Sequence, residues 1–405
     1  MTATTGHPAP GRLDFDDPVF QSDPWPLYAH HREHDPVHWS PALGSFFVFG
    51  HEHVRQTLVS PDFGTYHPFR ASRRAFGPSM LDSDGARHTV QRAAAAGSFR
   101  PRQVGEAATR IVAPLAAALL DDLLPAGRAD FAEVLARTLP MQVVCRVMGL
   151  PVADAQWLAD MMRPLAAYVD HAGVELAEVV RRRQELRAYL LAAAADGAEH
   201  PGLLHVLAGN EELTEADACN NGILLLAAGT ETTTAAITNL IARVAAEPGL
   251  FERLRRDRSL LPAVIAETLR HEPPLHVTLR FAQRDLVLEG VDVPAGSAVQ
   301  VCLASANRDP AVHPEPDRWL PDRPRRPTMS FGMGRHVCLG MGLANAELET
   351  VLGAVLDRLD HLALAEGVDP RPVGRTFRTV PALRCSYPAP RPAPSSQSSE
   401  RRTAP

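Results

Sequence analysis

The run Phe331-Gly332-Met333-Gly334-Arg335-His336-Val337-Cys338-Leu339-Gly340 leads into Leu348, Val351, Leu352, Val355, Leu356 and Leu359, apolar positions at helical spacing. A glycine-rich loop thus carries one cysteine to the start of a helix. The free backbone N–H groups and the dipole of a helix N-terminus favour thiolate over thiol, the state in which cysteine ligates a metal. Gly332, Gly334 and Gly340 leave room for something flat and bulky against the backbone. A dinucleotide-binding loop does not fit: Gly332-x-Gly334 is followed by Val337 where a third glycine is needed, and no βαβ pattern surrounds it.

The 405 residues around this loop are 45% apolar, 22% charged and 6% aromatic, which suits a globular chain with a large core and excludes disordered, collagen-like and disulfide-scaffold classes. All 41 basic residues are arginine, and against 47 acidic ones they leave a net charge of −6 with no basic arm. A nucleic-acid partner held by phosphate neutralisation is therefore not expected. Cys145, Cys219, Cys302, Cys338 and Cys385 form no C-x-x-C pair, so neither a disulfide framework nor a structural zinc site is indicated, and a cytoplasmic protein is expected. Met1–Pro10 lacks the basic and apolar regions of an export signal, and apolar runs such as Ala188–Ala195 fall far short of the roughly 20 residues that span a bilayer. No membrane association is expected.

The patterning predicts a mainly α protein with small β-sheets. Helical segments are expected at about 103–124, 130–148, 152–170, 174–196 and 215–247, with a further helix over 262–271 stopped by Pro273 and Pro274. The 215–247 segment starts at Thr214 with Asp217 three residues on and stops at Pro248-Gly249, so it should cross the whole domain. Hairpins are expected over 37–48 and over 286–293 about Glu289-Gly290. Six prolines between Asp309 and Pro327 preclude regular structure there. Residues 1–387 read as one domain, and 388–405, rich in Pro, Ser and Arg, as a disordered tail.

In the middle of the long helix stands Ala228-Gly229-Thr230-Glu231-Thr232-Thr233. Glycine and clustered threonines form helix poorly, and threonine hydroxyls can bond carbonyls one turn back and open the ladder into a groove. Glu267 and Arg270, three apart on the 262–271 helix, share one of its faces.

The cysteine stretch resembles the haem-binding signature, Phe-Gly-x-Gly-x-His-x-Cys-x-Gly, of the cytochrome P-450 monooxygenases. The resemblance runs from Asp23-Pro24-Trp25-Pro26-Leu27-Tyr28 through Pro294-Ala295-Gly296 and Ala304-Ser305-Ala306-Asn307-Arg308-Asp309-Pro310 to the cysteine loop, and is nearest to the soluble bacterial class. It implies a single-domain P-450 fold with the long helix crossing a haem b. Cys338 would be the axial thiolate, with Phe331, Gly332 and Gly340 around it. Ala228 and Gly229 would border the oxygen groove, and Glu231 and Thr232 would relay protons during oxygen activation. The Glu267–Arg270 pair, joined by a meander residue such as Arg318, would be buried and would brace the proximal side. His88, Arg92, Arg280 and His336 would meet the propionates.

Two departures stand out: Asp82-Ser83-Asp84-Gly85-Ala86-Arg87 replaces the usual Pro-Pro lead-in before His88, and Asn345 stands where an arginine is common. The family's substrate pocket maps onto Leu224, Leu225, His276, Val277, Thr278 and Leu279. Their apolar bias suggests a lipophilic secondary-metabolite intermediate, hydroxylated or epoxidised at the expense of O2. Ferredoxin and ferredoxin reductase would supply electrons at a face carrying Arg100, Arg102, Arg325, Arg326 and Arg335. Other chemistries of a haem thiolate (peroxide-driven oxidation, nitration, coupling) and a non-catalytic haem sensor stay open. A cysteine-nucleophile hydrolase using Cys338 and His336 would leave Glu267, Arg270 and the threonines without a role.

Overall fold

The computed structural model describes residues 13–196 and 201–388, so the tail expected over 388–405 falls almost wholly outside the described residues. The central helix, Glu215–Ala246, has 32 residues, about 50 Å at 1.5 Å per residue. Its start is a capping box: Thr214 Oγ1 accepts from Asp217 N–H (3.2 Å) while Asp217 Oδ2 accepts from Thr214 N–H (2.9 Å). The buried Asp217 also receives Arg87 and Gln91 (3.0 Å) from the helix Gly85–Ala96. The cap that starts the central helix therefore also fixes the helix bearing His88 and Arg92.

The central helix divides the core. Its N-terminal half, through Ala227, packs with Met141–Met148, Leu158–Leu165, Leu186, Leu190 and Leu203–Leu207. From Ala236 onward it packs instead with Val112–Leu124, Leu250–Leu254, Leu261–Leu269 and Leu348–Leu359. Residues 228–235 belong to neither cluster.

A five-stranded sheet runs Val37–Ser40, Ser45–Val48, Ala298–Cys302, Val277–Ala282, Phe63–Gly64, with only the second and third strands parallel. Leu286–Leu288 and Val291–Val293 form the expected hairpin, with Glu289 (φ 51°) and Gly290 (φ 77°) both in the left-handed region that such a two-residue turn requires. Arg128–Asp130, Ala363–Leu364 and Arg384–Ser386 make a third sheet that local patterning does not announce.

The helix expected over 103–124 is not uniform: Pro101–Ala107 passes through a wide turn at Ala108–Val112 into Ala113–Leu123. Pro114 lacks the N–H that a regular α-helix would use there, which explains the widened turn. No helix among the described residues is long and apolar enough to cross a membrane.

Candidate active site

The cysteine loop is shaped by two left-handed glycines, Gly332 (φ 68°) and Gly334 (φ 74°). At Gly334 a Cβ would lie 2.8 Å from Leu58 O, so glycine is also required for packing. Cys338 N–H closes the loop onto Phe331 O at 2.9 Å. Gly340 then caps the helix Met341–Arg358. The Cys338 side chain remains accessible. Burial by the surrounding protein raises its pKa, but N–H groups of Gly340 and Met341 and the nearby Arg92 act in the opposite direction. The N–H groups of a helix start are in place as the sequence suggests, but desolvation outweighs them, so the protein alone does not favour thiolate over thiol as expected.

Beside it lies a group of arginine and histidine side chains drawn from three elements. Arg92 donates to Val337 O (2.8 Å), and the His88 and His336 ring centroids are 4.2 Å apart. Arg280, on the strand Val277–Ala282, is 5% exposed and forms no carboxylate ion pair among the described residues; its Nη1 reaches Leu279 O (3.0 Å) and Thr278 Oγ1 (3.5 Å). Burial lowers the Arg280 pKa to about 10, which leaves it charged at neutral pH. Burial and the adjacent His336 and Arg92 push His88 down to about 4, and its buried Nε2 lacks a hydrogen-bond partner. An unpaired buried guanidinium and an orphaned imidazole nitrogen are what an anionic group would satisfy.

His336 is oriented by Asp84 (Nε2 to Oδ1, 3.3 Å), a residue sequence reasoning passed over. Burial pushes the Asp84 carboxyl upward, yet His336 and the N–H groups of Thr65 and Tyr66 hold it below the usual carboxylate range. The departure Asp82–Arg87 was the available signal, since it places a carboxylate immediately before the left-handed Gly85 (φ 62°).

Behind the cysteine, Glu267 and Arg270 are both buried, with Arg270 Nε to Glu267 Oε2 and Arg270 Nη2 to Glu267 Oε1 each at 2.8 Å. The third charge is Arg323, whose Nε donates to Glu267 Oε1 at 3.0 Å. This corrects the expectation of Arg318: that residue contributes its carbonyl to Arg270 (3.1 Å), while its own guanidinium turns outward to Glu315. Arg270 also donates to Asn307 O (2.9 Å), and Asn307 binds Ser330 Oγ (2.9 Å) and Met329 N–H (2.6 Å). The network thus ends at the residue before Phe331.

On the central helix, Leu225, Gly229 and Thr232 are half-buried and Ala228 is exposed, a stripe at i, i+3, i+4 and i+7. Thr232 Oγ1 donates to Ala228 O at 2.9 Å. The expected back-bond is made, but the helix continues unbroken, so the ladder does not open into the expected groove. Gly229 has a packing reason as well: a Cβ would lie 2.6 Å from Val144 Cγ2 on the crossing helix Thr138–Met148. Burial raises the Glu231 pKa, Asp170 adds to it, and Arg163 and Arg137 oppose it.

Leu224 is buried beside Leu225, in the cluster that also takes in Leu339 of the cysteine loop. His276 and Val277 are not pocket walls. His276 is 0% exposed, with its ring 5.0 Å from that of Trp25 and 5.8 Å from that of Tyr28, and Val277 packs in the same N-terminal aromatic cluster. Thr278 and Leu279 are half-buried.

The family model for cytochrome P450 matches residues 177–381, a span that holds both the central helix and the cysteine loop. The chain is 32% identical over 348 residues to the cyclomarin C epoxidase CymV of Salinispora arenicola, covering 82% of this chain and 87% of that one. The chain is a cytochrome P450. This P450 is also 32% identical over 363 residues to the monooxygenase PikC of Streptomyces venezuelae, covering 85% and 86% of the two chains. Its fold superposes on CYP109E1 of Bacillus megaterium, solved in complex with testosterone, with a TM-score of 0.82 at 27% identity, over 90% of this chain and 98% of that one. The P450 is accordingly a monooxygenase whose cofactor is haem b, bound through a cysteine thiolate.

Proposed function

We propose that Cys338 is that cysteine, and that the protein hydroxylates or epoxidises a lipophilic secondary-metabolite intermediate. The observation that carries the assignment is the accessible Cys338 thiol receiving the Gly340 and Met341 N–H groups beside Arg92. Haem b, when bound, supplies the oxygen-activating chemistry. His88, Arg280 and His336 would hold its propionates, with Asp84 fixing the His336 ring and Arg92 bracing the loop at Val337 O.

Thr232 donates its hydroxyl hydrogen to Ala228 O, which leaves the oxygen lone pairs free to accept a hydrogen bond from a water on the exposed stripe and so to position it. Glu231, with its pKa raised, can hold a proton at the neighbouring position and deliver it. Leu224, Leu225, Thr278 and Leu279 would orient an apolar substrate and exclude water. The name of CymV, a cyclomarin C epoxidase, supports that substrate class. Arg100, Arg325, Arg326 and Arg335 are exposed with no ion pair among the described residues, which supports docking of an acidic ferredoxin served by its reductase; Arg102 is engaged by Glu106 (3.0 Å).

The test is spectroscopic. The reduced carbon monoxide complex should show the red-shifted Soret band of thiolate ligation, and Cys338→His should abolish it. Retention of the band in Cys338→His, or its loss on changing Cys145, Cys219, Cys302 or Cys385 to Ser, overturns the assignment.

A further inference from the structure

His30-His31-Arg32-Glu33-His34-Asp35-Pro36-Val37-His38 holds four of the 17 histidines within nine residues. The helix Trp25–His34 ends there: Asp35 is its C-cap (φ −150°, ψ 72°), Pro36 prevents continuation, and the chain turns back as the strand Val37–Ser40. That reversal lays His38 against the last helical turn. His31 Nδ1 lies 2.6 Å from Asp35 Oδ1, and His38 Nδ1 lies 2.6 Å from Asp35 Oδ2. The His31 and His38 ring centroids are 4.4 Å apart, and the His31 ring is held flat against Phe49 (5.0 Å, 11°).

We propose that His31, Asp35 and His38 form a divalent transition-metal site, for zinc by preference, that pins the end of this helix to the first strand of the five-stranded sheet. One donor atom from each residue lies within 4.8 Å of the others, and among the described residues no other group of three His, Cys, Asp or Glu converges this way. Two imidazole nitrogens and one carboxylate oxygen are a usual zinc donor set, and water completes the tetrahedron. The helix end is closed by the Asp35 N–H on His31 O and needs neither imidazole; here two imidazoles from different elements converge on opposite oxygens of one carboxylate. Coordination at both Nδ1 atoms requires that the neutral rings carry their proton on Nε2 and that the donors draw apart from their present 2.6 Å contacts, a small side-chain shift that the partly exposed His38 and Asp35 can make. The side chains are graded from inside to outside: His31 is 8% exposed, His38 30% and Asp35 41%, which gives a rigid inner ligand and an entry path. None of the three is among the residues placed around Cys338 or on the central helix.

The experiment uses haem-loaded protein stripped with a chelator and titrated with zinc chloride by calorimetry, with X-ray absorption at the zinc edge on the loaded sample. The expected result is one zinc per chain with a first shell containing two imidazoles. His38→Gln and Asp35→Asn should each weaken binding at least tenfold, and zinc should raise the unfolding temperature of the parent protein but not of these variants. His34→Gln, which alters the same turn outside the triad, should bind as the parent does. Absence of stoichiometric zinc, an edge spectrum without two imidazoles, or undiminished binding by folded His38→Gln and Asp35→Asn overturns the proposal.

Discussion

The two sides of the P450 site are built on opposite principles. Behind the cysteine, Glu267, Arg270 and Arg323 are withdrawn from water and each side chain has several partners, ending in Asn307 and Ser330 at the root of the loop. On the central helix, Thr232 bonds only its own helix and stays accessible. Rigidity is concentrated beside the proposed thiolate ligand, and spare hydrogen-bonding capacity where the proposed relay would move protons. Substitutions should therefore cost stability on the first side and chemistry on the second.

The largest loss of stability is expected from Arg270→Ala and Glu267→Ala. Removing one member of a buried pair leaves the survivor as an uncompensated charge, at a cost of about 3–5 kcal/mol. Denaturant unfolding and haem content should both report it. A folded Arg270→Ala protein with full haem content would show that the two sides do not differ as described.

The same network gives an acid limb. Burial pushes the Glu267 carboxyl upward, but Arg270, the Leu320 N–H and Arg323 outweigh it, and its pKa stays below the ordinary carboxylate value. A depressed carboxylate contributes stability above its unfolded pKa, and the contribution fades as pH falls through the folded one. The stability difference between the parent and Glu267→Gln should thus be full at neutral pH and shrink once pH drops below about 4.3, the unfolded glutamate value. A difference that grows on acidification would contradict the sign of this effect.

A finer comparison separates Arg323 from Arg318. Arg323 is one-tenth exposed and binds Glu267 together with the carbonyls of Pro314, Glu315 and Arg318, whereas Arg318 makes a surface pair with Glu315. Arg323→Ala should cost about 1.5–3 kcal/mol, in the range of hydrogen bonds to charged groups, and Arg318→Ala less than about 1. Equal costs in thermal unfolding would restore Arg318 to the role its position in the meander suggested.

That pair also marks how far the sequence could be read. The central helix and the Glu289-Gly290 hairpin carry their signals within a few residues, as in the Thr214/Asp217 box, and are legible without tertiary information. Which arginine turns inward from a proline-rich meander depends on where each carbonyl already points, and no local periodicity records that. His276 and Val277 were misplaced for a related reason. His276 stands just before the strand and Val277 opens it, and both are covered because Trp25 and Tyr28, about 250 residues earlier in the chain, pack over this strand entrance, which alternation along the strand does not record. Asp84 and Asn307 likewise act only through partners distant in sequence. The helix-breaking composition marks Gly229, but nothing local records that a Cβ there would run into Val144.

The smallest effect on stability is expected on the distal side. Thr232→Ala removes a hydroxyl bonded to Ala228 O within its own helix, and alanine is the better helix former, so the two changes nearly cancel and unfolding should shift by less than about 0.5 kcal/mol. The chemical consequence should be far larger. Losing one group of a proton relay slows the transfer by about 10²–10⁴-fold, so reducing equivalents should appear as hydrogen peroxide at the expense of oxidised product. Thr232→Ser, which keeps the hydroxyl, should recover most of the coupling. Electron-to-product ratios measured on parent, Ala and Ser proteins decide the point, because a Thr232→Ala protein that couples as the parent does would leave Thr232 a helix residue and nothing more, whereas a strongly destabilised one would mean that the distal side carries structural weight after all.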